Sequence, residues 1–243
     1  MREFLKSIPF VQPVVWTMRE HYRRWRNDLS RRLIQALGSR ENVFVVQIGA
    51  NDGSTGDPIH PLLTQKKSWR ALLVEPVPFL FERLQRNYPE AGRFQFENVA
   101  IGRTVGHSTF YYVTAEAKAA LPDLPVWYEQ LGSFDRAHII RHLGAAIEPF
   151  IIAAKIPTAP LDVLLQRNAV TKIDLLHIDT EGYDWEILRQ LDLQKFRPTV
   201  ILFEHRHLPE ELIKKAWAFL SKDYTIVDTR GDSFCQRKRS VEK

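Results

Sequence analysis

Apolar and polar positions alternate in blocks along most of the chain. Val43–Ile48 is a continuous apolar run broken only by Gln47, the pattern of a strand buried on both faces. Ala71–Val74 repeats it, and a helix is predicted over Pro78–Asn87. Phe94–Ala100 reads as a third strand, and the alternating, aromatic-rich His107–Val113 as a short added one. The rhythm resumes with a helix near Leu161–Arg167, a strand at Ile173–Asp179 and a helix at Asp184–Leu191. A strand at Thr199–Glu204 and a helix at Glu210–Leu220 follow. Tyr224–Asp228, a turn at Arg230-Gly231-Asp232 and Ser233–Arg237 then read as a β-hairpin. Such alternation predicts a mainly parallel sheet with helices on both faces, and the hairpin adds antiparallel strands near one edge.

Two segments depart from this pattern. In residues 17–37, Met18, Tyr22, Trp25, Leu29, Leu33 and Ala36 or Leu37 recur at spacings of three and four. That predicts an amphipathic helix, ended by Gly38. Residues 115–157 hold four prolines, helical patches around Asp135–Leu143 and no clear strand. They read as an insertion over the active site, because long irregular connections are usually functional. The expected organisation is a basic arm and helix over residues 1–40, then one domain over 41–243.

Composition changes the picture little. A chain of 243 residues can bury a two-sided core without a structural metal or disulfide, and its single cysteine, Cys235, has no intrachain partner. No apolar run is long enough to span a bilayer, and the first residues do not read as a secretory signal. The expectation is a cytoplasmic protein. Charge is more informative. Residues 1–40 hold nine Lys or Arg against Glu3, Glu20 and Asp28, so they exceed the net charge of +5 and leave the body almost neutral. A basic amphipathic helix on a neutral body fits packing on the domain, peripheral contact with an anionic membrane, or oligomerisation or partner docking. It does not fit nucleic-acid binding.

The candidate chemistry lies where strands end, since open α/β sheets bind ligands beyond the C-terminal ends of their strands. The first strand ends in Gly49-Ala50-Asn51-Asp52-Gly53, where glycines allow a sharp turn and close approach of a ligand. The second ends in Glu75, placed to accept both ribose hydroxyls of an adenosine. The third leads to Asn98-Val99-Ala100, a holder for an adenine edge or simply a strand-end turn. No G-x-G-x-x-G or P-loop is present. Acidic and amide side chains stand where a pyrophosphate needs bare backbone, so S-adenosylmethionine is favoured over NAD or ATP. The fourth strand gives His177-Ile178-Asp179-Thr180-Glu181-Gly182, with His177 and Asp179 on one face. The fifth ends in Glu204-His205-Arg206-His207.

Taken in order, these pieces resemble the FkbM-type methyltransferases. The resemblance rests on Val46–Gly53, Val74-Glu75-Pro76, Asn98–Gly102, Ser133-Phe134, Leu161-Asp162, His177–Asp184 and Glu204, and covers roughly residues 42–230. It implies a class I, Rossmann-like fold with a seven-stranded sheet, and S-adenosylmethionine-dependent O-methylation of a sugar, glycan or natural product. Gln47 and His177 depart from the family, standing where many relatives carry an acid and a lysine. The expected cofactor contacts are Gly49, Ala50, Asn51, Asp52, Gly53, Glu75, Pro76, Asn98, Ala100, Asp179 and Glu181. His177 is the first candidate base, because neutral imidazole accepts protons near pH 7, with Asp179 and Glu204 beside it. Ser133 and Phe134 of the insertion, together with His205, are the acceptor-side candidates. A divalent metal held by Asp179, Glu204 and His205 is a less favoured reading. The rivals are a non-catalytic binding module on the same fold and an NAD-dependent oxidoreductase.

Overall fold

The alternation of side chains along each central strand sends even and odd positions to opposite faces, and each face meets its own set of helices. In the computed structural model, which describes residues 28–239, α1 spans residues 28–37, followed by β1 (Phe44–Ile48), α2 (His60–Gln65) and β2 (Arg70–Val74). Next come α3 (Pro78–Asn87), β3 (Phe94–Glu97), β4 (Ala100–Ile101), β5 (Gly106–Val113), α4 (Ala117–Ala120) and α5 (Arg136–Leu143). The chain continues through β6 (Ile151–Ala159), α6 (Leu161–Arg167), β7 (Leu175–Ile178), α7 (Asp184–Leu188) and β8 (Val200–Glu204). It ends with α8 (Glu210–Ser221), β9 (Tyr224–Asp228) and β10 (Asp232–Arg237).

Seven strands form one sheet in the order β3-β2-β1-β7-β8-β10-β9, with β10 alone running opposite to the other six. Val46, Ile48, Leu72, Leu176 and Ile201 face one core, filled by Leu164 of α6, Leu188 of α7 and Leu220 of α8. Val45, Leu73, Leu175 and Leu202 face the other, filled by Leu29, Leu33 and Leu37 of α1, Leu63 of α2 and Leu84 of α3. The N-terminal helix therefore docks by its apolar stripe over residues 28–37. The part expected at residues 17–27, and the arm before it, lie outside the described residues.

Two expectations need correction. The third strand does not run through to Ala100. It stops at Glu97, and Ala100–Ile101 pairs instead in a second sheet of order β4-β6-β5. The segment 115–157 is not strandless, because β6 begins at Ile151 and pairs antiparallel with β5 over eight residues. Pro157 masks β6 in the sequence. It is tolerated because β4 covers only Thr158 and Ala159, leaving Pro157 on a locally free edge. The insertion also has a small core of its own, in which Val113, Leu131, Ile139 and Ile147 are buried together. It is a packed cover on β5.

Candidate active site

Strand order reverses between β1 and β7, and a cleft of about 510 Å³ opens there, as expected for this architecture. Gly49 and Asn51 come from the turn after β1, Glu75 and Pro76 from the turn after β2, and Asp179 and Glu181 from the turn after β7. Ala100 of β4 and Ser133 and Phe134 of the insertion close it from the other side. Phe134 stands edge-on to Phe110 at 5.0 Å and meets Tyr183 at 5.1 Å between ring centres. Ser133 is fixed by paired backbone hydrogen bonds with Tyr111 of β5.

The turn after β1 is built for close approach. Gly49 has φ of +80°, and a Cβ there would lie 1.7 Å from the carbonyl oxygen of Asp179. Asn51 and Glu181, both on the cleft wall, also have positive φ, at +49° and +54°. Outside glycine such backbone is uncommon and costs about 1–3 kcal/mol; Asn42, Ala169, Arg197 and Arg230, away from the cleft, share it.

Glu75 is buried, with one carboxylate oxygen accepting the Asn51 N–H and the other accepting the Val77 N–H, both at 2.8 Å. It thereby fixes both turns, while each oxygen keeps a lone pair for a ligand hydroxyl. Burial, only partly opposed by those bonds, raises its pKa to about 7. Burial likewise raises Asp57, which accepts from the Gln47 side chain, to about 6.

The structure separates the predicted residues into two groups. Gly49, Asn51, Glu75, Pro76, Ala100, Asp179, Glu181, Ser133 and Phe134 meet at the cleft. Ala50, Asp52, Gly53 and Asn98 do not line it. Asp52 accepts from the backbone N–H groups of Ser54 and Thr55 at 2.8 and 2.7 Å. Gly53 sits where a Cβ would strike Leu84 of α3 and Tyr88 just after it. Asn98 donates to the carbonyls of Glu75 and Pro76, so its role is the strand-end turn.

The catalytic assignments change more. His177 is 3% exposed, outside the cleft lining, on the sheet face shared with Leu175, and its Nδ1 has no partner. Burial lowers its pKa to about 4. It does not line the cleft, so it is set apart from the residues that do. His205 is also removed from the acceptor side, because Nδ1 is bonded to Ser233 Oγ at 2.9 Å and its ring packs on Trp217. Those contacts also take it out of the metal set proposed with Asp179 and Glu204. Glu204 ends β8 but does not line the cleft, its Oε2 lying 3.7 Å from His207 Nε2 without a hydrogen bond. Asp179 alone of the three candidate bases reaches the cleft. Its pKa is raised, first by burial and then by repulsion from Glu181.

A group that the sequence reading scattered between insertion and strand ends comes together here. His138 and His142 of α5 and His207 after β8 place ligating atoms within 4.8 Å of one another, and His207 shares such a cluster with Glu181 and Glu204. Burial lowers His207 to about pKa 4, against the pull of Glu181, so its contacts with both carboxylates involve a neutral ring. The available signal was His138-Ile139-Ile140-Arg141-His142, two histidines one helical turn apart.

The raised carboxylates have a consequence for stability. A folded-state pKa above the unfolded one gives stability that is full at low pH and lost as pH rises through the folded value. For Glu75 and Asp57 that loss ends near pH 7 and 6. His177 works in the opposite direction, but only between its ordinary value and about 4. Above about pH 6.5 only the carboxylate effect remains. Thermal unfolding of the ligand-free protein should show a lower Tm at pH 8 than at pH 6.5. An unchanged or rising Tm would contradict the burial of an ionisable Glu75.

A sheet of this strand order with one antiparallel strand, a glycine turn after β1 and an acid ending β2, is the class I methyltransferase fold. The chain belongs to the FkbM methyltransferase family: the model described as "Methyltransferase FkbM domain" matches residues 47–226. No curated protein matches it in sequence. Similar solved structures include a Methanococcus jannaschii fibrillarin pre-rRNA processing protein, 14% identical, with 82% of this chain and 69% of that chain covered and a TM-score of 0.41. The N-methyltransferase NodS from Bradyrhizobium japonicum is 10% identical, with 88% and 97% covered and a TM-score of 0.43. A ribosomal protein L11 methylase from Lactobacillus delbrueckii subsp. bulgaricus is 12% identical, with 88% and 79% covered and a TM-score of 0.40. No helix among the described residues is long and apolar enough to cross a membrane.

Proposed function

We propose that this protein is an S-adenosylmethionine-dependent O-methyltransferase acting on a hydroxyl of a sugar, glycan or natural product. The observation that carries the reading is Glu75, a buried carboxylate at the end of β2. Its two oxygens hold the flanking turns while facing a cleft of about 510 Å³. Such a group suits a ribose diol, and Pro76, Ala100 and Ile101 supply an apolar wall for a base. The cleft offers carboxylates and no phosphate cradle, which suits a ligand carrying an amino group and a sulfonium.

S-adenosylmethionine held there would supply a methyl group activated by its positive sulfur. The remaining tasks fall to this chain. Asp179 takes the proton of the acceptor hydroxyl as the oxygen attacks, assistance worth about 10²–10⁴ in rate. Gly49 and Asn51 fix the approach, and alignment of the reacting atoms contributes up to about 7–11 kcal/mol. Ser133 offers a hydroxyl and Phe134 a ring face to the acceptor, and the insertion excludes water. We place the protein in the cytoplasm, with peripheral membrane contact through its basic N-terminal residues as the route to a lipid-linked glycan.

Calorimetric titration with S-adenosylhomocysteine, with NAD as the control, tests the reading. The wild type should bind S-adenosylhomocysteine with a Kd of about 1 µM to 100 µM and show no heat with NAD. Glu75→Gln should weaken binding at least about tenfold, because its amide nitrogen would face a backbone N–H and leave that donor unpaired. Preference for NAD would favour an oxidoreductase, and absence of any nucleoside binding would favour a non-catalytic module.

A further inference from the structure

We propose that His138, His142, His207 and Glu181 form a binding site for one divalent transition-metal ion of the zinc class, which clamps the insertion onto the strand-end loops. The proposal stands whether or not the chain transfers methyl groups.

The geometry is that of a ligand set. Three imidazoles bring ligating atoms within 4.8 Å of one another, with ring centres of 4.3 Å for His138–His142, 5.1 Å for His138–His207 and 4.7 Å for His142–His207, and His207 forms a second such group with Glu181 and Glu204. His138 Nε2 lies 3.4 Å and His207 Nε2 3.3 Å from the same oxygen, Glu181 Oε2. Both distances are long for a charge-assisted hydrogen bond, which is about 2.7–2.9 Å. They match the edge of a tetrahedral shell, about 3.3 Å when metal–ligand bonds are about 2.0 Å.

The outer contacts fit as well. His142 Nδ1 lies 2.8 Å from the His138 carbonyl oxygen, and donating there leaves Nε2 with a free lone pair. Metal-bound histidines are typically fixed in this way. Glu204 Oε2 is buried and without a hydrogen-bond partner, 3.7 Å from His207 Nε2. An ion beside His207 would account for that orphan oxygen, and Glu204 is the fifth donor or outer-shell partner. Nitrogen-rich sets of this kind select zinc, cobalt or nickel over magnesium or calcium.

The placement gives the site its role. His138 and His142 belong to α5 of the insertion, whereas Glu181 and His207 belong to the turns after β7 and β8. Glu181 is also part of the cleft wall. One ion would therefore bolt the cover down at the rim of the cleft.

The test uses the full-length protein stripped with chelator and titrated with Zn²⁺, with Mg²⁺ as the control. Expected are about one Zn²⁺ per chain with a Kd of about 1 µM or tighter, no Mg²⁺ binding, and zinc-dependent slowing of amide exchange across residues 136–143. The exposed His142, changed as His142→Ala, should weaken binding by about 10–100-fold and abolish the slowing. Substoichiometric binding, or affinity unchanged in both His142→Ala and His207→Gln, overturns the site. Should a variant fail to fold, Co²⁺ titration of the wild type decides. A tetrahedral visible absorption band supports the site, and its absence overturns it.

Discussion

Asp179→Asn should lower kcat by about 10²–10⁴ while leaving S-adenosylhomocysteine affinity within a few-fold of wild type. The substitution keeps the size of the side chain at a position that opens onto the cleft. The proton acceptor is lost, and the turn that carries it remains anchored by the Asp179 N–H bonded to the Ile48 carbonyl. Loss of a group that acts on the reacting oxygen alone changes kcat more than ground-state binding. His177→Ala should act differently, since that ring lies outside the cleft and its removal is a packing change. Single-turnover assays on both variants, beside calorimetric titration, separate the two. Wild-type turnover in Asp179→Asn would remove Asp179 from the chemistry, and a hundredfold loss confined to His177→Ala would restore the histidine.

Gly49→Ala should be severely damaging, costing more than about 4 kcal/mol of stability. Two effects combine. The backbone at φ of +80° is costly for a residue with a Cβ, and that Cβ would lie 1.7 Å from the Asp179 carbonyl oxygen. Neither side can yield, because the Gly49 and Ala50 N–H groups are tied to Val74 and Asp179 to Ile48 in the centre of the sheet. Gly92 provides the control. It has the same kind of backbone, with φ of +83°, but nothing within 4 Å of the added carbon, so Gly92→Ala should cost only about 1–2 kcal/mol. Since domains are stable by about 5–15 kcal/mol, Gly49→Ala should lose most soluble protein and all nucleoside binding. Equal Tm values for the two variants would show that the close approach at Gly49 is not a structural requirement.

Much of the fold was legible because it is written in local pattern. Apolar runs bounded by polar turns gave β1, β2, β7 and β8 to within a residue or two, and α3 and α6 at their observed limits. Strand ends are also legible, and Gly49, Glu75 and Asp179, which stand at them in the sequence, line one cleft in the structure. The short α2 had too few residues and an early proline to stand out. β6 was missed because Ala153, Ala154 and Pro157 carry no strand signal of their own, and its existence depends on the partner β5.

The residues of the site divide along the same line. Period-two alternation placed His177 and Asp179 on one face, but it cannot say how deep a position lies. His177 is still inside the sheet, whereas Asp179 has passed its edge. Glu204 and His205 were likewise placed at the right strand end, and only packing decided that one turns to His207 and the other to Ser233. The sequence by itself determined the central strands and the polar residues that end them, because those follow from patterns among near neighbours. The tertiary structure alone decided the meeting of His138, His142, Glu181 and His207. Those residues are up to 69 positions apart, and only the docking of the insertion on β5 brings them within reach of one another.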